Sequence, residues 1–171
     1  MIDKTSANAG GVREAIVQHT YNVPREVVFA AWTDQALVKQ WWGPHGFSNP
    51  VCELDVRPGG KIRIHMQSPD GTVYPVVGTY HEVIPPQRIV FTSSALDEDG
   101  NTMFEVLQTV TFAEQAGRTT VTITGRVTTT NVSAVAEGYL EGMSAGMKQQ
   151  LERLETFLKK PEPDIQRSKM S

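Results

Sequence analysis

The chain has 171 residues, 39% of them hydrophobic and 20% charged, with a net charge of −3. That length suits one domain able to bury roughly two thirds of the surface its unfolded form exposes, and the weak negative charge offers no basic field for nucleic acid or an anionic membrane surface. One cysteine, Cys52, excludes an internal disulfide, and no apolar stretch reaches the length of a membrane span or a signal-peptide core, which together point to the cytoplasm.

Residues 1–11 and 161–171 are small, polar or proline-rich and are expected as loose tails around a single domain over 12–160. From residue 13 to 22, Ala15, Val17, His19 and Tyr21 alternate with Glu14, Ile16, Gln18 and Thr20, which predicts a strand. Pro24 follows where a first helical turn tolerates it, and Val27, Val28, Ala31 and Trp32 recur at helical spacing. Thr33 or Asp34 caps a second short helix carrying Leu37, Val38, Trp41 and Trp42, and Gly43-Pro44 stops it.

Six runs rich in β-branched and aromatic residues come next, over 51–57, 61–67, 73–83, 88–94, 103–113 and 119–129. Pro58-Gly59-Gly60, Pro69-Asp70-Gly71, Asp97-Glu98-Asp99-Gly100 and Glu114-Gln115-Ala116-Gly117 connect them, and such short links impose antiparallel pairing. Over 132–160 the period changes. Leu140, Met143, Met147, Leu151, Leu154 and Leu158 recur every three or four residues with charged residues between them, so one long helix with one buried stripe is expected. The order β, α, α, six β, α describes an α+β domain in which that helix covers a curved antiparallel sheet of six or seven strands.

Several motifs in this order carry a resemblance: Ala31-Trp32-Thr33-Asp34, Trp41-Trp42-Gly43-Pro44, Asp55-Val56-Arg57-Pro58-Gly59-Gly60, Val83-Ile84-Pro85-Pro86-Gln87-Arg88 and Leu151-Glu152-Arg153-Leu154. Over about residues 12–159 the chain resembles the heat shock protein 90 ATPase activator homologues of the START-like, or SRPBCC, superfamily. The resemblance implies a helix-grip fold whose sheet and long helix enclose a hydrophobic cavity, used across the superfamily for lipids, polyketides and other apolar ligands. It does not imply one activity. The eukaryotic co-chaperone that resembles this domain carries a further domain before it, and only eleven residues stand here, which counts against a chaperone partner. Many relatives also have Gly-Trp where this chain has Gly146-Met147, so a roomier, more adaptable wall is expected.

The leading expectation is therefore a protein that binds or sequesters a small apolar molecule, without cofactor or metal. Trp41 and Trp42 are candidates to close the cavity mouth, or else core anchors that pack the second helix on the sheet. Tyr139, Met143 and Met147 form a strip on the last helix, read either as cavity lining or as plain core. Gly138, Gly142 and Gly146 each cost about 1 kcal/mol relative to alanine inside a helix, so they make room for a ligand or let a second copy of the chain approach. On the strands, Ile62, Ile64 and Met66 share one face, as do Phe104, Val106, Gln108, Val110 and Phe112. Gln108 is the polar exception there, free to orient a ligand or to bond backbone or water. Phe47, Tyr74, Tyr80 and Phe91 complete the aromatic candidates.

The alternatives are a polyketide cyclase or hydrolase using His65, Glu105 or Tyr74, and a co-chaperone-like interaction module. His19, His45, His65 and His81 lack metal-ligand spacing, and no nucleophile elbow or phosphate loop is present. Cys52 reads as a small inward-facing hydrophobe, and Asp55 with Arg57 as an exposed ion pair on a strand that steadies the following turn.

Overall fold

Seven strands form one antiparallel sheet in the order β1-β7-β6-β5-β4-β3-β2. The computed structural model describes residues 14–129 and 134–159. Both expected tails lie outside these residues, as do the first two positions of the expected long helix and the side chain of Tyr139. The elements are β1 Glu14–Tyr21, α1 Arg25–Thr33, α2 Gln35–Trp41, β2 Ser48–Leu54, β3 Lys61–Gln67, β4 Val73–Ile84, β5 Arg88–Leu96, β6 Thr102–Gln115, β7 Arg118–Val127, α3 Ala134–Glu141 and α4 Met143–Leu158. β2 to β7 form a meander, and β1 pairs with β7 from Glu14↔Arg126 to Tyr21↔Thr119. The fold is α+β and helix-grip-like, as the element order implies.

Local chemistry accounts for the element ends. Asp34 caps α2 through an Oδ1 that accepts from Ala36 N at 2.9 Å. Pro24 stands just before α1, where its carbonyl accepts from Val27 and Val28, and Glu114 Oε1 accepts from Arg25 N at 3.0 Å. β2 begins three residues earlier and ends three earlier than the sequence pattern suggests. The strand includes Pro50, because β2 is an edge strand with a register shift between Ser48 and Val51, where a missing N–H costs no ladder bond. Asp55 and Arg57 therefore sit in the turn, not on a strand face. The Arg57 Nε donates to both Asp55 oxygens at 2.9 Å, an exposed pair. That turn closes on β4, with Gly59 N donating to Tyr80 O and Tyr80 N to Gly60 O. A Cβ on Gly60 would stand 1.8 Å from Asp55 O, so only glycine passes there.

The single long helix of the sequence reading is two helices. α3 ends and α4 begins around Gly142, whose φ of −90° and ψ of 2° depart from the helical pair. Gly146 N donates to Gly142 O at 2.9 Å, the first helical bond of α4. In α4 the buried face consists of Met147, Gln150, Leu151, Leu154 and Phe157, with Met143 and Leu158 partly buried. α4 packs on β1, where Tyr21 Oη donates to Leu151 O at 2.7 Å and His19 pairs with Glu155. No described helix is long and apolar enough to cross a membrane.

Candidate functional site

Between the sheet and the α3–α4 junction lies a pocket of about 430 Å³. The even-numbered face of β6 supplies Phe104, Val106 and Gln108, β3 and β4 supply Met66 and Tyr74, and the helices supply Gly138, Gly142, Met143, Gly146 and Met147. Trp42 and Phe47 close the side nearest α2. An added Cβ at Gly138 or Gly146 would meet nothing within 4 Å, so both glycines leave open space on the pocket wall and neither seats another segment among the described residues. Gly125 on β7 serves differently. A Cβ there would come within 3.0 Å of Met147 Cε, so this glycine seats the methionine that forms the pocket floor.

Eight of the expected residues thus meet around one space: Trp42, Phe47, Met66, Tyr74, Phe104, Gln108, Met143 and Met147. Three others do not. Trp41 is fully buried in the core, with its Nε1 donating to Ala31 O at 3.1 Å and its ring 4.9 Å from Trp32. It diverges from its neighbour because successive residues at a helix end point about 100° apart, so Trp41 faces the core while Trp42, at the end of α2, lines the pocket. Tyr80 and Phe91 are a cross-strand pair, 6.1 Å apart, that lines a separate void of about 20 Å³ together with Trp42. Burial pushes the Tyr80 phenol well above its ordinary range, as expected of a core tyrosine.

Pleat geometry also removes two acid–base candidates. His65 lies between Ile64 and Met66, and Glu105 between Phe104 and Val106, so both point to the opposite face of the sheet. Glu105 accepts there from Thr128 Oγ1 at 2.8 Å. Tyr74 is the one titratable side chain on the pocket wall among the described residues. Cys52 is buried outside the pocket, and desolvation raises its thiol to about 11.

Several pocket-defining residues gave no signal in the sequence. Gln150 is 8% exposed, and its Oε1 accepts from Gly43 N at 3.0 Å. Arg153 donates through Nη1 to Trp42 O at 2.7 Å and Pro44 O at 3.1 Å, and through Nη2 to Gln40 O at 3.3 Å. Asn49 Nδ2 donates to the carbonyls of Lys39 and Trp42. Further out, Gln149 Oε1 accepts from His45 N at 3.2 Å, and Glu152 pairs with the His45 ring at 2.9 Å. These bonds occupy the bare carbonyls at the end of α2 and bind the 42–45 segment to α4, which fixes one wall of the pocket. Burial lowers the Arg153 guanidinium slightly from its ordinary value without threatening its charge.

Comparison with known proteins decides the family. The family profile described as Activator of Hsp90 ATPase homolog 1-like protein matches residues 22–159. The chain belongs to that family. Among solved structures, this Hsp90-activator-like chain is similar to a protein of Rhizobium leguminosarum, with a TM-score of 0.74, 25% identity, and 88% of this chain and 96% of that one covered. A protein of Nitrosomonas europaea gives a TM-score of 0.71 at 25% identity, covering 85% and 94%. The AHSA1 protein of Silicibacter pomeroyi gives 0.71 at 24% identity, covering 85% and 96%, and so shares the fold. No curated protein matches the chain. The family assignment agrees with the motif order and carries a fold suited to hydrophobic ligands.

Proposed function

We propose that this protein binds a small hydrophobic molecule in the pocket between β3–β6 and the α3–α4 junction. The observation that carries the reading is the open space at Gly138 and Gly146, on a wall otherwise built of Trp42, Phe47, Met66, Phe104, Met143 and Met147. Glycine inside a helix costs about 1 kcal/mol relative to alanine, and here that cost leaves volume unfilled. Gly138 is exposed and Gly146 half-buried, so this space is a largely apolar cleft that opens to solvent, the kind of site that admits a small ligand. The methionines add adaptability, because an unbranched thioether reshapes to its contents at low cost.

The test is fluorescence titration of the purified chain with N-phenylnaphthylamine, an uncharged dye that brightens in apolar surroundings, alongside Gly146→Leu. The wild type is expected to bind the dye, and the leucine, projecting into the pocket, to reduce affinity at least about tenfold while the fold persists. Equal binding by both proteins would place the dye elsewhere and refute the reading. If the glycines instead seat a second copy of the chain, Gly146→Leu alters the mass seen by light scattering and leaves dye binding intact. A native mass spectrum of protein taken from its source cells then identifies the natural occupant.

A further inference from the structure

Gln108 was the polar residue that alternation singled out, and the structure satisfies it locally: its Nε2 donates to Ser93 Oγ at 3.0 Å. Gln150 differs. It is more than nine-tenths buried, it lines the pocket, and among the described residues its one hydrogen bond is that which its Oε1 accepts from Gly43 N. A backbone N–H can bond only the oxygen end of an amide, so the orientation of this side chain is fixed and its two N–H donors lie at the other end. No described residue accepts from them. An oxygen brought in by a ligand would supply the bond that these donors lack among the described residues.

The charge inventory narrows the ligand further. None of the described side chains around the pocket is charged. Arg153, which lies beside the pocket-lining Gly43, spends its donors on the carbonyls of Gln40, Trp42, Gly43 and Pro44. A carboxylate, sulfonate or phosphate would enter without a partner and lose its hydration. We propose that Gln150 is the specificity-determining residue of this pocket, its amide donors recognising an acceptor oxygen of carbonyl, ether or hydroxyl type on an otherwise apolar, uncharged ligand. The proposal rests on the binding reading above and adds the ligand's chemistry to it.

Three dyes on the full chain test it by fluorescence titration: prodan, a neutral naphthyl ketone; N-phenylnaphthylamine, which has no acceptor oxygen; and anilinonaphthalene sulfonate, its anionic counterpart. One neutral hydrogen bond corresponds to about 3- to 10-fold in affinity. Gln150→Met is expected to weaken prodan by that factor, with a shift in its emission, and to leave N-phenylnaphthylamine within about twofold. Gln150→Glu keeps the acceptor for Gly43 while removing the donors, so it controls for disturbance of the 42–45 segment and is expected to weaken prodan at least as much. The sulfonate is expected to bind at least about tenfold more weakly than N-phenylnaphthylamine. Equal weakening of both neutral dyes in Gln150→Met, no weakening of prodan in either variant, or tight binding of the sulfonate would overturn the proposal while leaving the pocket a binding site. Failure of both neutral dyes to bind the wild type would end the binding reading and this inference with it.

Discussion

Trp41 and Trp42 show how much one step along a helix decides. Both are large rings at the end of the same helix, yet Trp41 completes a core cluster with Trp32 while Trp42, after the last helical residue, faces the pocket. Truncation should separate them. Trp41→Ala removes a fully buried ring and is expected to cost about 3–5 kcal/mol in denaturant unfolding, whereas Trp42→Ala costs less and changes dye affinity instead. Cys52 offers a second check at this scale. With its thiol raised to about 11 by burial, it is almost wholly protonated at pH 8 and is expected to resist a thiol reagent until the chain unfolds. Fast labelling of the folded protein would contradict the burial seen here.

At the scale of elements, α4 does two jobs along its length. Its C-terminal half anchors the sheet through Leu151, Leu154 and Phe157, and Glu155 holds β1 through His19 while bonding Lys159 one turn on. The Glu155 carboxyl is lowered from 4.5, chiefly by its hydrogen bond to Lys159 and then by that to His19. A lowered folded value means the folded state favours the carboxylate. The contribution is therefore full above pH 4.5 and fades as pH falls through the folded value. Thermal unfolding followed from pH 6 to pH 3 should show a loss of stability on the acid side that is smaller in Glu155→Gln. Because Glu155 is about a third exposed, solvent screening keeps the effect modest. The N-terminal half of α4 faces the pocket, and there Gly146→Leu should raise stability by up to about 1 kcal/mol, from helix propensity, even as it removes binding. Stability and binding moving in opposite directions is the signature of a residue kept small for space.

Across the whole molecule the sheet and α4 form the firm part, and α3 the lightly held one. α3 makes its main contacts with α4, and its buried Leu140 packs with Val106 and Val127 beside the pocket. Local opening is cheapest where few apolar contacts must break. Native-state hydrogen exchange should therefore find α3 amides exchanging well before those of α4 and of the central strands β5 to β7, with bound ligand slowing α3 most. Uniform protection of both helices would argue against α3 as the moving wall of the pocket.

Periodicity determined much of this. Alternation in β1, β3 and β6 and the leucine stripe of α4 follow from the geometry of strands and helices, which acts locally, so the order of elements, the antiparallel sheet and the inward faces were legible before any coordinates. Ligand chemistry was not. Gln150, Asn49 and Arg153 look like ordinary polar residues in sequence, and only the meeting of α4 and β2 with the end of α2 makes them partners of backbone groups 7 to 113 positions away. The break at Gly142 and the parting of Trp41 from Trp42 were likewise decided by packing, because local propensity alone favours a continuous helix and treats two adjacent tryptophans alike. Pairings over such separations carry no local periodic signal, and they are what turn a readable fold into a particular pocket.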